Sequence, residues 1–395
     1  MEDMEKELIQ TAEDHLLHTY NRHQIVLDKG EGVYLYDVSG KKYLDFGAGI
    51  AVFAFGYQKQ EFNQAIKEQI DKLIHTSNLF YHVPLAEASK KLAEATGLDQ
   101  VFFTNSGTEA IEGAIKIARK YAYLKNPEKQ TEIISMNHSF HGRSLGALTV
   151  TGNQKYQEPF KPLIGGVVYA DFNNLDSVKE KVNDNTCAII VETVQGEGGI
   201  YPADKEFLQG IRQLCDEQDL VMICDEIQCG MGRTGTMFAY EGCEIKPDVV
   251  TCAKALGCGI PVGAVVASKR VGDAMVPGDH GTTYGGNPLA ASAVNIVFDL
   301  FEQEKVLEHV KEIAPYLEQK LEELTEQYDC IVERRGKGLM QGLEFNKPVS
   351  EVVKKALENG LILVSAGTNI IRFVPPLVIT KEHVDEMIDK LKASI

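Results

Sequence analysis

The chain has 395 residues, a length that suits two domains better than one. Hydrophobic residues make up 44% and charged residues 25%, the balance of an ordinary globular protein. A formal net charge of −17 and a pI near 5.1 argue against a nucleic-acid or anionic-membrane surface, while leaving room for a local cleft that takes small anions.

The eight cysteines include no C-x-x-C pair, so neither a disulfide framework nor zinc spacing is visible. Residues 1–20 read as one amphipathic helix, an arm able to pack on its own domain or on a partner subunit. That stretch is acidic, unlike a signal or transit peptide, and no apolar run approaches a membrane span. A cytoplasmic protein is expected. Residues 32–44 alternate apolar and polar around Val38-Ser39-Gly40-Lys41, a hairpin signal. The glycine-rich apolar stretch 45–57 is expected to lead into the main sheet.

A helix is expected over 84–95 and a strand over 101–103. The strand runs into Asn105-Ser106-Gly107-Thr108, and a second helix follows over 109–124. Ser106 and Thr108 read equally as helix N-caps or, with Gly107, as an anion seat. Unpaired N–H groups and the helix dipole meet at such a turn. The strand 132–136 ends at Asn137-His138-Ser139-Phe140-His141-Gly142-Arg143. Phe140 is either a core aromatic or a surface for stacking a flat ring. Arg143 is either a surface ion pair or a planar fork for a carboxylate. His138 and His141 have no third ligand nearby, and no metal is expected. The strand 188–191 ends in Glu192, with Glu197 following in a glycine-rich loop expected to be mobile.

After a helix over 204–218 comes the stretch that organises the rest. Residues 221–224 form an apolar run that ends in Asp225, and 248–252 form a second that leads to Lys254. A third run covers 262–267. Short apolar runs bounded by turn residues read as buried strands, and ligands of α/β sheets bind outside the carboxyl ends of strands. An acid and an amine about thirty positions apart can thus meet in one crevice. A desolvated lysine attacks carbonyls, and a buried aspartate keeps a heteroaromatic cation protonated; pyridoxal phosphate needs both. Small residues at 253, 255, 257, 259 and 263 let a planar ligand approach the backbone. The cluster Gly281-Thr282-Thr283-Tyr284-Gly285-Gly286-Asn287-Pro288 opens a helix over 289–301 and is a second anion seat by the same logic. From about 301 the pattern changes to charge-rich amphipathic helices between short strands, including 339–345 and 370–374. Arg372 lies in a run apolar enough to demand a partner.

The runs DEIQCGMGRTG and DVVTCAKALGCGIPVGA resemble the class III, ω-amino-acid branch of the pyridoxal-phosphate aminotransferases, and the resemblance extends from about residue 25 to the C-terminus. It implies an α/β chain of fold type I, with a large, mostly parallel-sheet domain and a smaller α+β domain formed by both chain ends. The expected division is 1–48, 49–290 and 291–395. It also implies pyridoxal 5′-phosphate on Lys254, with Asp225 at the pyridine nitrogen, Gln228 at the ring 3′-oxygen and Phe140 stacked on the ring. Ser106, Gly107 and Thr108 would seat the phosphate, and Glu192 would support the site. Arg143 would meet a substrate carboxylate, and Arg372 would clamp the α-carboxylate of glutamate or 2-oxoglutarate, with Glu197 as its resting partner. Thr283 would reach the phosphate of a neighbouring subunit's cofactor and Thr282 its substrate, so the active unit would be a homodimer with shared sites. The chain departs from the family's usual GH-x-HP turn at Gly56-Tyr57-Gln58-Lys59-Gln60.

Within the family, HTSNLFY, FHGRSLGALTVTGNQKYQEPF, ETVQGEGG and IIRFVPPLVIT are most similar to the group acting on N-acetylornithine, which serves arginine biosynthesis. Ile50 falls about where ornithine-specific members carry a tyrosine that grips a free α-amino group. Succinylornithine, ornithine, 4-aminobutyrate and N-succinyl-diaminopimelate remain alternative donors. A fold kept without turnover is the competing class. A Rossmann dehydrogenase finds no G-x-G-x-x-G after the first strands.

Overall fold

A computed structural model of the protein describes residues 2–128 and 131–395. Its centre is a seven-stranded sheet in the order Gln100–Thr104, Gly263–Ala267, Val249–Cys252, Val221–Asp225, Thr186–Glu192, Glu132–Met136, Val167–Ala170. Gly263–Ala267 runs antiparallel to both neighbours, and the other neighbouring pairs are parallel. Both faces are covered, which is why the strands read as continuous apolar runs. Val221, Ile223, Ala188 and Ile190 face one apolar layer with the helix Gly107–Lys125. Met222, Cys224, Ile189 and Val191 face the opposite layer with the helices Lys205–Gln218 and Pro288–Gln303. The cysteines at 187, 224 and 252 are buried in these layers as small hydrophobes.

The chain ends build two smaller sheets. Leu27–Glu31, Tyr34–Asp37 and Lys42–Asp45 form a meander whose last strand pairs in parallel with Leu361–Ile362, so the N-terminal segment and the C-terminal region share a sheet. The second sheet, Ile331–Lys337, Met340–Phe345, Ile370–Phe373 and Val364–Ala366, carries Arg372. The helices Val306–Gln327, Ser350–Glu358 and Lys381–Lys392 complete this region. The N-terminal helix spans Glu2–His15, shorter than the expected 1–20, and Met1 lies outside the described residues.

One expectation needs correction. The stretch after Asp45 does not enter the main sheet. Asp45 accepts the N–H groups of Gly47 and Ala48 (2.8 and 3.0 Å) and the Tyr57 hydroxyl (2.6 Å), closing a compact turn. Within it Ala48, Gly49, Ile50 and Ala51 all have left-handed φ between 48° and 65°. L-residues avoid such a run unless surrounding contacts impose it. The glycine-rich loop after Glu192 is largely packed. Val194–Gln195 pairs with Tyr201–Pro202, and Glu192, Thr193, Gln195 and Ile200 are buried.

Candidate active site

A cavity of about 400 Å³ opens at the carboxyl ends of the central strands, a size and place usual for small-molecule sites. It is lined by Ser106, Gly107, Thr108, Phe140, Glu192, Asp225, Gln228 and Lys254, drawn from five strand ends expected to converge. Their meeting follows from the ladder: Asp225 stands opposite Glu192 on one side and Thr251 on the other, three positions before Lys254.

Asp225 is 4% exposed and fully engaged. Its Oδ1 accepts the Ile227 N–H (3.0 Å) and the Thr251 hydroxyl (3.2 Å), and its Oδ2 lies 2.7 Å from Nδ1 of buried His141. Burial works against the His141 cation, but Asp225 outweighs it and raises the imidazole pKa. Glu192 accepts the N–H groups of Phe140 (3.1 Å) and Gly196 (3.2 Å), and burial pushes its carboxyl up to about 7. Lys254 begins a single 3₁₀ turn, Lys254–Leu256, with a left-handed φ of 51°, a strained setting for a side chain at a site. Burial, helped by the Arg372 charge, lowers its amine pKa to about 8.

The helix Gly107–Lys125 starts at the cavity wall. The Ser106 hydroxyl caps the Glu109 N–H (3.3 Å), and Gly107 and Thr108 of the first turn line the cavity. Room there is tight: a Cβ on Gly107 would sit 2.8 Å from Ile227 Cδ1.

Arg372, 1% exposed, stands behind Gln228. One guanidinium nitrogen donates to Glu197 (2.5 Å) and to the Gln228 carboxamide oxygen (2.9 Å). Burial opposes the Glu197 carboxylate, but Arg372 holds its pKa below the usual range. Gln228 therefore touches Arg372 as well as the cavity. Arg143 stays exposed at the rim, its N–H donating to the Thr108 hydroxyl (3.3 Å). Thr282 does not line the cavity but adjoins it, accepting from Asn105 Nδ2 (3.3 Å). Thr283 is exposed and lines no part of it.

Further lining residues carried no sequence signal: Val52, Asn105, Ile227, Cys229 and Val262 are too ordinary in type. The His141–Asp225 pair was equally hidden, because 84 positions separate the partners.

The family model for aminotransferase class III matches residues 17–395. The chain belongs to the class III aminotransferases. Acetylornithine aminotransferase of Clostridium acetobutylicum is 47% identical over 97% of this chain and all of its own length. The Methanocaldococcus jannaschii protein of that name is 48% identical over 95% of this chain and 94% of its own. Among solved structures, ornithine aminotransferase of Toxoplasma gondii superposes with a TM-score of 0.95 at 30% identity, covering 99% of this chain and 94% of that one. N-acetylornithine aminotransferase of Stenotrophomonas maltophilia superposes at 0.84 with 34% identity, covering 98% of each chain.

A class III aminotransferase works with pyridoxal phosphate, and the donor set here fits it. A buried amine of lowered pKa suits an imine link, a buried aspartate suits a pyridinium, and a helix start suits a phosphate dianion.

Proposed function

We propose that this aminotransferase moves the terminal amino group of N-acetylornithine to 2-oxoglutarate, giving N-acetylglutamate 5-semialdehyde and glutamate in arginine biosynthesis. The observation that carries the reaction is the meeting of half-buried Lys254 with Asp225 on one cavity, beside an Arg372 paired with the Glu197 carboxylate. The donor is supported by relatives named for it at 46–48% identity over nearly the whole chain. Ile50, 43% exposed on the left-handed turn two positions before Val52, suits an acylated nitrogen that bears no charge.

When bound, pyridoxal phosphate supplies an electron sink through its protonated ring. Lys254 would tether it and, as a free amine, would move the proton as general acid–base; its lowered pKa keeps neutral amine available near pH 8. Asp225, braced by His141, would hold the ring proton. Ser106, Gly107 and Thr108 would seat the phosphate and Phe140 would cover the ring, while Glu192 fixes the Phe140 backbone. Gln228 would meet the ring oxygen, and its own carboxamide oxygen accepts from Arg372. Arg143 takes the donor carboxylate, and Arg372 takes the α-carboxylate of 2-oxoglutarate once Glu197 swings away.

The active unit is a homodimer in the cytoplasm. Leu79 (88% exposed), Phe80 (64%), Tyr81 (101%) and Tyr284 (61%) form an apolar face around the Thr282–Thr283 loop, which Asn78 ties down through Thr282 and Gly285 carbonyls. That supports a partner bringing Thr282 and Thr283 to its neighbour's site. A donor panel against 2-oxoglutarate tests the reading. N-acetylornithine should give the highest kcat/KM, above ornithine, succinylornithine, 4-aminobutyrate and N-succinyl-diaminopimelate. A ratio favouring free ornithine would overturn it.

A further inference from the structure

Arg143 presents a problem for donor recognition. Its guanidinium is exposed at the rim and makes no ion pair with any of the described residues, so nothing of opposite charge fixes it. A long solvated side chain loses entropy when a ligand freezes it, which weakens the fork it offers to a carboxylate. Two rings take the place of a counter-ion. The guanidinium carbon lies 5.3 Å from the Phe140 ring centre and 5.7 Å from that of Tyr156. The rings meet edge to face, 6.2 Å apart at 83°, making a corner against which the flat cation rests.

Tyr156 is held there by its neighbours. It lies on the short helix Gln154–Gln157, capped by Asn153, whose side chain accepts the Lys155 N–H (3.1 Å). Buried Gln157 anchors that turn, donating to the carbonyls of Leu148 (3.1 Å) and Thr151 (2.8 Å) and to the Tyr169 hydroxyl (2.7 Å). The backbone of Tyr156 is thus fixed while its ring, 37% exposed, is turned to Arg143.

We propose that Tyr156 is a positioning residue for donor specificity: with Phe140 it holds the Arg143 guanidinium ready for the carboxylate of the amino donor. The inference rests on the proposed role of Arg143. It predicts that Tyr156 matters only for donors that carry that carboxylate. The test compares half-reactions of the holoenzyme, followed by stopped-flow absorbance, with N-acetylornithine and with N-acetyl-1,4-diaminobutane, the same amine without the carboxylate. Tyr156→Ala should lower the second-order constant for N-acetylornithine about two- to fivefold and leave the decarboxylated amine unchanged. Tyr156→Phe keeps the ring and should restore the wild-type value. Equal losses on both amines, or no loss on either, overturn the inference while leaving the reading of the donor intact. A wild-type enzyme with no preference for the carboxylated amine overturns both.

Discussion

Glu197→Gln should make the enzyme better at one half of its cycle and worse at the other. In the resting protein Glu197 occupies Arg372 at 2.5 Å, so an α-carboxylate can reach that arginine only by displacing it. A charge-assisted hydrogen bond contributes about 1.5–3 kcal/mol. The Glu197 side chain is 28% exposed, and water screens part of that, leaving about 1–2 kcal/mol. Removing the charge and keeping the shape should therefore tighten glutamate about five- to thirtyfold. The amino donor should suffer the reverse. Its cationic amine enters beside an Arg372 no longer neutralised, and Lys254, which the Glu197 charge helps to keep protonated, falls further in pKa. Stopped-flow half-reactions with glutamate and N-acetylornithine measure both. Unchanged or weaker glutamate binding in Glu197→Gln would refute the competition.

Asp225→Asn should lower kcat by about 10²–10³-fold, since an amide cannot hold the ring proton, while the yellow cofactor remains bound through Lys254; kcat and visible absorbance check this. In Gly263→Ala the new Cβ would lie 2.4 Å from the Ser106 carbonyl oxygen and 2.6 Å from Thr104 Oγ1, displacing the turn meant for the phosphate. Overpacking of about 1–3 kcal/mol should weaken pyridoxal-phosphate retention about five- to 150-fold in equilibrium dialysis, whereas Gly165→Ala, with nothing within 4 Å, should not. The apo protein should gain stability as pH rises from about 8 towards 10.5, because the unfolded lysine still holds a proton that buried Lys254 has lost. The gain should be about 3 kcal/mol in urea titrations relative to Lys254→Met, which lacks the titrating group. A wild-type protein whose stability tracks the variant across that range would contradict the buried amine.

What was legible in the sequence lay at the ends of apolar runs. A strand buried on both faces is continuous in the chain, so the first charged residue after it marks the crevice, and Glu192, Asp225 and Lys254 were all found that way. The edge strand Val167–Ala170 and the charged strand Ile331–Lys337 were missed because neither is buried on both faces, and their patterns are those of surface chain. The turn at 48–51 was unreadable for another reason: left-handed φ at Ala48, Ile50 and Ala51 contradicts local preference and is imposed by Asp45 and Tyr57. Pairings across long separations were invisible too. His141 with Asp225 is one. Another is buried Arg233, whose guanidinium donates to the Leu339 and Pro375 carbonyls with no carboxylate partner among the described residues, its pKa lowered by burial to about 9. Within the run DEIQCGMGRTG, Arg233 joins the segment after Asp225 to the sheet that carries Arg372.

The central claim is a covalent link between pyridoxal phosphate and Lys254. Borohydride reduction of the yellow holoenzyme, followed by proteolysis and mass spectrometry, tests it directly. The pyridoxyl phosphate mass should appear on the peptide bearing Lys254 and on no other lysine. A label at a different lysine, or a reduced enzyme that releases all of its cofactor on denaturation, would contradict the account.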